Sequence, residues 1–158
     1  MLSLSRAAIG QRSLYVCALV TGLTFVVALL PSSPAHAKRA HVITYDSGGS
    51  VMARYKEINE FRLKGTRVEV RGQCMSACTM YLGLPNTCVS PSAIFGFHGP
   101  RDAGQNQPMP DSFAAKLMAA HYPRNLQAWF LAEAQYLPGN SVARLSGQQL
   151  ISMGISRC

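Results

Sequence analysis

Apolar and polar positions alternate along the chain with two distinct periods, and together these predict a short series of strands and helices. Val42 to Tyr45 is a short apolar-rich run that stops at Asp46-Ser47-Gly48-Gly49-Ser50, which predicts a strand entering a glycine turn. Val51, Tyr55, Ile58 and Phe61 then recur at helical spacing with charged and amide residues between them, and Gly65 supplies a stop. Thr66 to Arg71 alternates strictly and predicts a strand. Gly72-Gln73-Cys74-Met75 reads as a turn into a short apolar helix over Ser76 to Leu82. Cys88-Val89 starts another extended stretch, which Ala93 to His98 continues as a buried strand. Gly99 to Pro110, with three prolines and two glycines, is a loop. Asp111 or Ser112 caps a helix through Ala120 by accepting a backbone N–H, and a second helix near Asn125 to Gln135 carries Leu126, Trp129 and Phe130. Pro138-Gly139-Asn140 is a turn, and Ser146 caps a last helix that Gly154 ends. Strand, helix, strand, helix, strand implies parallel crossovers, hence an α/β domain: a small, mostly parallel sheet with covering helices.

The first 37 residues do not belong to this pattern. Arg6 and Arg12 precede an apolar run from Leu14 to Leu30, and Pro31 to Ala37 ends in Ala35-His36-Ala37. A basic start, an apolar middle and a small-residue exit are the marks of a cleavable secretory signal. An uncleaved membrane anchor is the alternative, because a run of this length just spans a bilayer. The Ala-His-Ala exit favours cleavage. The expectation is therefore residues 1–37 as signal peptide and 38–158 as one folded domain, periplasmic or secreted, with no stable membrane insertion once the signal is gone.

Charge and cysteines narrow the picture further. Fifteen Lys and Arg against seven Asp and Glu give a net charge of +8. The basic residues are scattered, with no basic patch interleaved with aromatics, so nucleic acid is not an expected partner. Cys17 leaves with the signal, and Cys74, Cys78, Cys88 and Cys158 remain, an even number that reads as two disulfides in an exported chain. The predicted return from the Ser76 helix to the Cys88 strand is short, which pairs Cys78 with Cys88 and, by elimination, Cys74 with Cys158. Zinc held by these cysteines and His98 is the competing idea; it lacks a second matched cysteine pair, and neither a metal nor a cofactor is expected. A thiol–disulfide role for Cys74 and Cys78 also competes, though redox pairs usually stand two residues apart rather than three.

Three pieces could carry chemistry together. Gly48-Gly49 follows a strand, Ser76 stands where the chain turns into a helix, and His98 ends a strand. In a parallel sheet all three lie near carboxyl ends of strands, where ligands bind. A serine hydroxyl becomes a nucleophile when a histidine can take its proton, and the oxyanion that forms needs fixed N–H donors. The N–H of Ala77 at a helix start and that of Gly49 in an open turn could supply such donors. Singly, each piece has a plainer reading: a cap, a turn, a structural histidine.

Asp46 to Ser50, Gly72 to Cys78 and Phe97-His98-Gly99-Pro100 together resemble the Clp-type serine peptidases of the crotonase-like superfamily, whose Gly-Gly turn, Gly-x-Ala-x-Ser segment and Ile-His-Gln-Pro segment come in this order. A closer likeness is to small exported bacterial proteins of that superfamily, carried here by Gly48-Gly49, Cys74 to Thr79, Cys88, Gly96 to His98, and Tyr122-Pro123 with Trp129. The resemblance implies a truncated crotonase-like fold, Ser76 as nucleophile, His98 as base, and Gly49 and Ala77 as the oxyanion hole. It implies peptide hydrolysis, with a peptide or protein as substrate or ligand and self-association into a homo-oligomer left open. The alternative is a catalytically silent domain that binds a peptide or envelope partner. Two departures stand out. The peptidases' orienting Asp falls here near Val142, where only Asn140 and Ser141 offer polar side chains, and the strand and helix that precede the Gly-Gly turn in the peptidases are missing.

Overall fold

Three parallel strands, β1 (His41–Asp46), β2 (Val68–Met75) and β4 (Ile94–Phe97), lie side by side with β2 in the middle. The structure, a computed structural model, describes residues 39–158, so the expected signal at 1–37 lies outside the described residues. β3 (Thr87–Val89) pairs in parallel with the first half of β2, setting Val70 opposite Val89, while β4 pairs with its second half, setting Cys74 opposite Phe95. β5 (Ala143–Ser146) runs antiparallel to β4, so the sheet is mixed. No strand is predicted at Ala143–Ser146 from the sequence, because an alternation only four residues long, between a turn and a helix cap, is too short to establish a period.

Helix α1 (Val51–Lys64) connects β1 to β2, capped by Ser50 at one end and by Gly65 in a left-handed conformation (φ 62°) at the other. A 3-10 helix (Ser76–Gly83) follows β2 directly. Helices α2 (Phe113–Ala120) and α3 (Arg124–Ala132) come after the long loop, a 3-10 turn (Ala134–Tyr136) follows them, and α4 (Gly147–Ser152) begins at a Ser146/Gln149 capping box. The core joins Ile58 of α1, Tyr81 of the 3-10 helix, Val70 and Phe95 of the sheet, and Met118 and Phe130 of the later helices, all essentially buried.

The expected turn at Gly72–Met75 is a strand instead. β2 continues to Met75 because both neighbours pair with it there, Tyr45 with Gln73 and Gln73 with Ile94. Gly72 is the residue that permits this. β1 breaks register between Ile43 and Tyr45, and the Thr44 carbonyl moves to within 1.9 Å of where a Gly72 Cβ would stand.

The expected disulfides are corrected in pairing but not in number. The bridges are Cys74–Cys78 and Cys88–Cys158, not Cys78–Cys88 and Cys74–Cys158. β3 lies against the start of β2, with Cys88 beside Glu69, about five residues or ~16 Å along the strand from Cys74. The 3-10 turn brings Cys78 back to within 5.3 Å of Cys74, Cα to Cα. The chain end runs beside β3, with Val89 bridged to Arg157, and delivers Cys158 to Cys88. With Cys74, Cys78, Cys88 and Cys158 all oxidised, none of these four is left as a thiolate for zinc. Among the described residues no other group of three or more His, Cys, Asp or Glu side chains is placed to hold a metal, and no helix is long and apolar enough to cross a membrane.

Candidate functional site

The topology sets the site. β1, β2 and β4 are parallel neighbours, so the turns that follow them, Gly48-Gly49, Ser76 and His98, emerge on one edge of the sheet with Ser76 central. All three border one cavity of about 730 Å³, which Gly49, Ser76 and His98 line together with the apolar side chains of Met52, Met75 and Val142. Arg101 and Asp102, exposed on the long loop, stand at its rim. Sequence reasoning missed Met75 and Val142. Met75 reaches the wall through the β2–β4 pairing that sets it opposite Gly96, and Val142 through the β4–β5 pairing, which brings it within 3.6 Å of where a Gly96 Cβ would lie.

Ser76 is held in an unusual conformation. Met75 is extended, Ser76 has φ 54°, and the helix begins at once. Only Asp111 shares a positive φ among the described non-glycine residues. A non-glycine residue in the left-handed region costs roughly 1–2 kcal/mol, and it persists where surrounding structure imposes it. Here the Cys74–Cys78 bridge closes a loop of sequence separation 4 around the serine. The Thr79 hydroxyl donates to the Ser76 carbonyl (2.7 Å) and also contacts the buried Tyr122 hydroxyl (2.7 Å). Burial pushes the Tyr122 phenol up, well above its ordinary range, so its proton stays in this network. A serine on a sharp strand-to-helix turn presents its hydroxyl outward, as nucleophilic serines do.

The glycine turn presses against that serine. Gly48 and Gly49 have φ 99° and 108°, a region L residues rarely occupy. A Cβ on Gly48 would lie 2.6 Å from Ser76 Cβ, 2.7 Å from the Met75 carbonyl and 3.0 Å from the Ala77 nitrogen. Gly49, by contrast, faces open space. The Gly48 N–H donates to Asp46 Oδ1 (2.8 Å), whereas Gly49 is exposed and its N–H makes no hydrogen bond among the described residues. The Ala77 N–H belongs to the first turn of the 3-10 helix, where amides have no partner within the helix.

His98 is buried, and its Nδ1 lies 2.7 Å from the Gly99 carbonyl. A carbonyl only accepts, so Nδ1 is the donor, and in the neutral ring the lone pair is then on Nε2, the tautomer that a general base needs. Gly99 is itself fixed, donating to the Leu137 carbonyl (3.0 Å) and packed against the Gln135 carbonyl. The carbonyl stands where the sequence offered Asn140 or Ser141 as the orienting group. Those two are exposed, the Asn140 N–H donates to Asn106 Oδ1, and neither bonds to His98. Among the described residues no hydrogen bond joins Ser76 Oγ to His98; the two share the cavity without touching through a proton. No family model matches this sequence, and no curated protein does.

Proposed function

We propose that this chain is an exported serine hydrolase of crotonase-like build, acting on peptides through a Ser76–His98 dyad. The observation that carries the proposal is Ser76 at φ 54°, on the turn from β2 into its helix and pressed against the Gly48-Gly49 turn. A substrate carbonyl entering the cavity meets the Ser76 hydroxyl, and His98 Nε2 takes its proton as Oγ bonds to carbon. The resulting oxyanion is stabilised by the N–H groups of Gly49 and Ala77. His98 then returns the proton to the leaving amine, and water cleaves the acyl-enzyme by the same steps. The two disulfides fit an oxidising compartment and so support export.

One feature favours the second function, a silent groove that binds a peptide. His98 Nδ1 meets a backbone carbonyl rather than a carboxylate, so the imidazolium formed during catalysis has no full negative charge beside it. Labelling of the mature protein by a fluorophosphonate decides between them. A single adduct on Ser76, absent from Ser76→Ala and strongly slowed in His98→Ala, is the expected result. A folded protein that takes no label at Ser76 is not a serine hydrolase, and peptide binding then becomes the better account.

A further inference from the structure

The glycine turn is the weakest part of an oxyanion hole, because two consecutive glycines are the most mobile backbone a chain can place there. Preorganised donors are what such a hole requires, and something outside the turn must hold it. Asp46 is the last residue of β1, and its carboxylate bridges two groups. Oδ1 accepts the Gly48 N–H at 2.8 Å, and Oδ2 accepts Arg54 Nη2 at 2.6 Å. That same Nη2 lies 3.4 Å from the Gly48 carbonyl, so both polar groups of Gly48 are held by one ion pair.

Arg54 is anchored in turn. Its side chain is 11% exposed, Nη1 donates to Glu57 Oε2 at 2.8 Å one turn along α1, and Nη1 also donates to the Tyr81 hydroxyl. The guanidinium carbon sits 4.5 Å from the centroid of the Tyr81 ring. Tyr81 belongs to the 3-10 helix that starts at Ser76. A single guanidinium therefore connects the turn carrying the Gly49 N–H to the helix carrying the Ala77 N–H.

We infer that Asp46 and Arg54 are positioning residues that fix the two halves of the oxyanion hole relative to each other. The inference rests on the hydrolase proposal for its catalytic meaning, while its structural content stands apart from it. Neither residue touches the reacting atoms; Asp46 acts through the Gly48 amide and Arg54 through Asp46, Gly48 and Tyr81.

The test is the rate of Ser76 phosphonylation by the fluorophosphonate, resolved into a maximal rate and a half-saturation constant. Asp46→Ala leaves Arg54 paired with Glu57, so no charge is stranded. It is expected to lower the maximal rate about 10- to 100-fold, the scale of a misplaced catalytic group, with the half-saturation constant unchanged. Asp46→Asn keeps an oxygen for the Gly48 N–H but turns an amide donor toward Arg54 Nη2, and is expected to recover part of that rate, which a loss of general stability would not do. Should Asp46→Ala fail to fold, Asp46→Glu carries the test: it keeps the charge but moves the acceptor out of register with Gly48, and the same slowing is expected. A wild-type maximal rate in Asp46→Ala, or in Asp46→Glu where that variant stands in, overturns the inference. If the wild-type protein itself takes no label, the hydrolase proposal fails separately, and hydrogen exchange of the Gly48 amide decides. Faster exchange in Asp46→Ala supports the clamp, and unchanged exchange overturns it.

Discussion

Replacing Gly48 by Ala tests the contact on which the whole site depends, and replacing Gly49 by Ala is its matched control. Both glycines occupy nearly the same backbone region, at φ 99° and 108°. Each substitution therefore carries a similar conformational cost, of roughly 1–3 kcal/mol. They differ in space. A Cβ at Gly48 overlaps Ser76 Cβ, the Met75 carbonyl and the Ala77 nitrogen, all at 3.0 Å or less, while a Cβ at Gly49 meets nothing within 4 Å. Two of the three neighbours of Gly48 are backbone atoms on a turn braced by a disulfide, so they cannot swing aside. That overlap adds about 1–3 kcal/mol, the usual penalty for overpacking a filled site. For a domain of this size each kcal/mol moves the melting temperature by about 4 °C. Gly48→Ala should thus melt at least about 4 °C below Gly49→Ala, and on the order of 10 °C or more below wild type. Thermal unfolding followed by circular dichroism under non-reducing conditions reads this directly. Fluorophosphonate labelling, at a temperature where both variants are folded, should be slow in Gly48→Ala because Ser76 or the hole has moved. If the two variants melt together and Gly48→Ala labels at the wild-type rate, the glycine turn and the Ser76 turn are not in contact.

The two disulfides should separate stability from function. Cys88–Cys158 closes a span of sequence separation 70 and Cys74–Cys78 one of 4, which predicts losses of about 4 and about 2 kcal/mol respectively when each pair is changed to alanine. Labelling of Ser76 should survive loss of the first bridge and drop with loss of the second, and the reverse pattern would refute the role assigned to the bridge around Ser76. Intact-mass analysis of the exported protein should show a chain beginning at Lys38, and retention of Met1 would remove the cleaved signal.

The elements with a strong period were legible in the sequence. Val51, Tyr55, Ile58 and Phe61 do mark α1, and the caps expected at Ser112 and Ser146 stand as hydrogen-bonded caps. The placement of Ser76 and His98 at one cavity was legible because a parallel sheet sends every strand's carboxyl end to one edge, so order along the chain becomes proximity in space. The rest depended on facts that no local pattern carries. β3 and β4 share opposite halves of β2, which sends Cys88 to the far end of that strand from Cys74 and defeats a pairing argued from loop length. The His98 partner is a main-chain carbonyl, and every residue owns one, so side-chain chemistry pointed instead to Asn140 and Ser141. The Asp46–Arg54 pair was likewise invisible, since its meaning lies in what both reach: the amide and carbonyl of Gly48 and the hydroxyl of Tyr81.

The carbonyl beside His98 bears on whether such a site works slowly or not at all. An acid in a catalytic triad does two jobs: it holds the imidazole in the tautomer with its proton on the far nitrogen, and it stabilises the imidazolium. Exchanging that acid for an amide costs about 10⁴ in kcat, with the wrong tautomer as the cause. The Gly99 carbonyl cannot donate, so it enforces the right tautomer as firmly as a carboxylate would. What is lost is the charge–charge part alone, and the oriented dipole of the carbonyl keeps a share of that. The penalty should therefore fall below the full 10⁴-fold. Ser76, meanwhile, stays at φ 54°, under a disulfide and a threonine hydrogen bond, at a cost that a purely binding groove has no use for. Under the proposed dyad, strain kept at Ser76 together with a His98 ring that donates from Nδ1 favours slow acylation over an inert groove. The expected signature is labelling that is slow in wild type, yet still lost in Ser76→Ala.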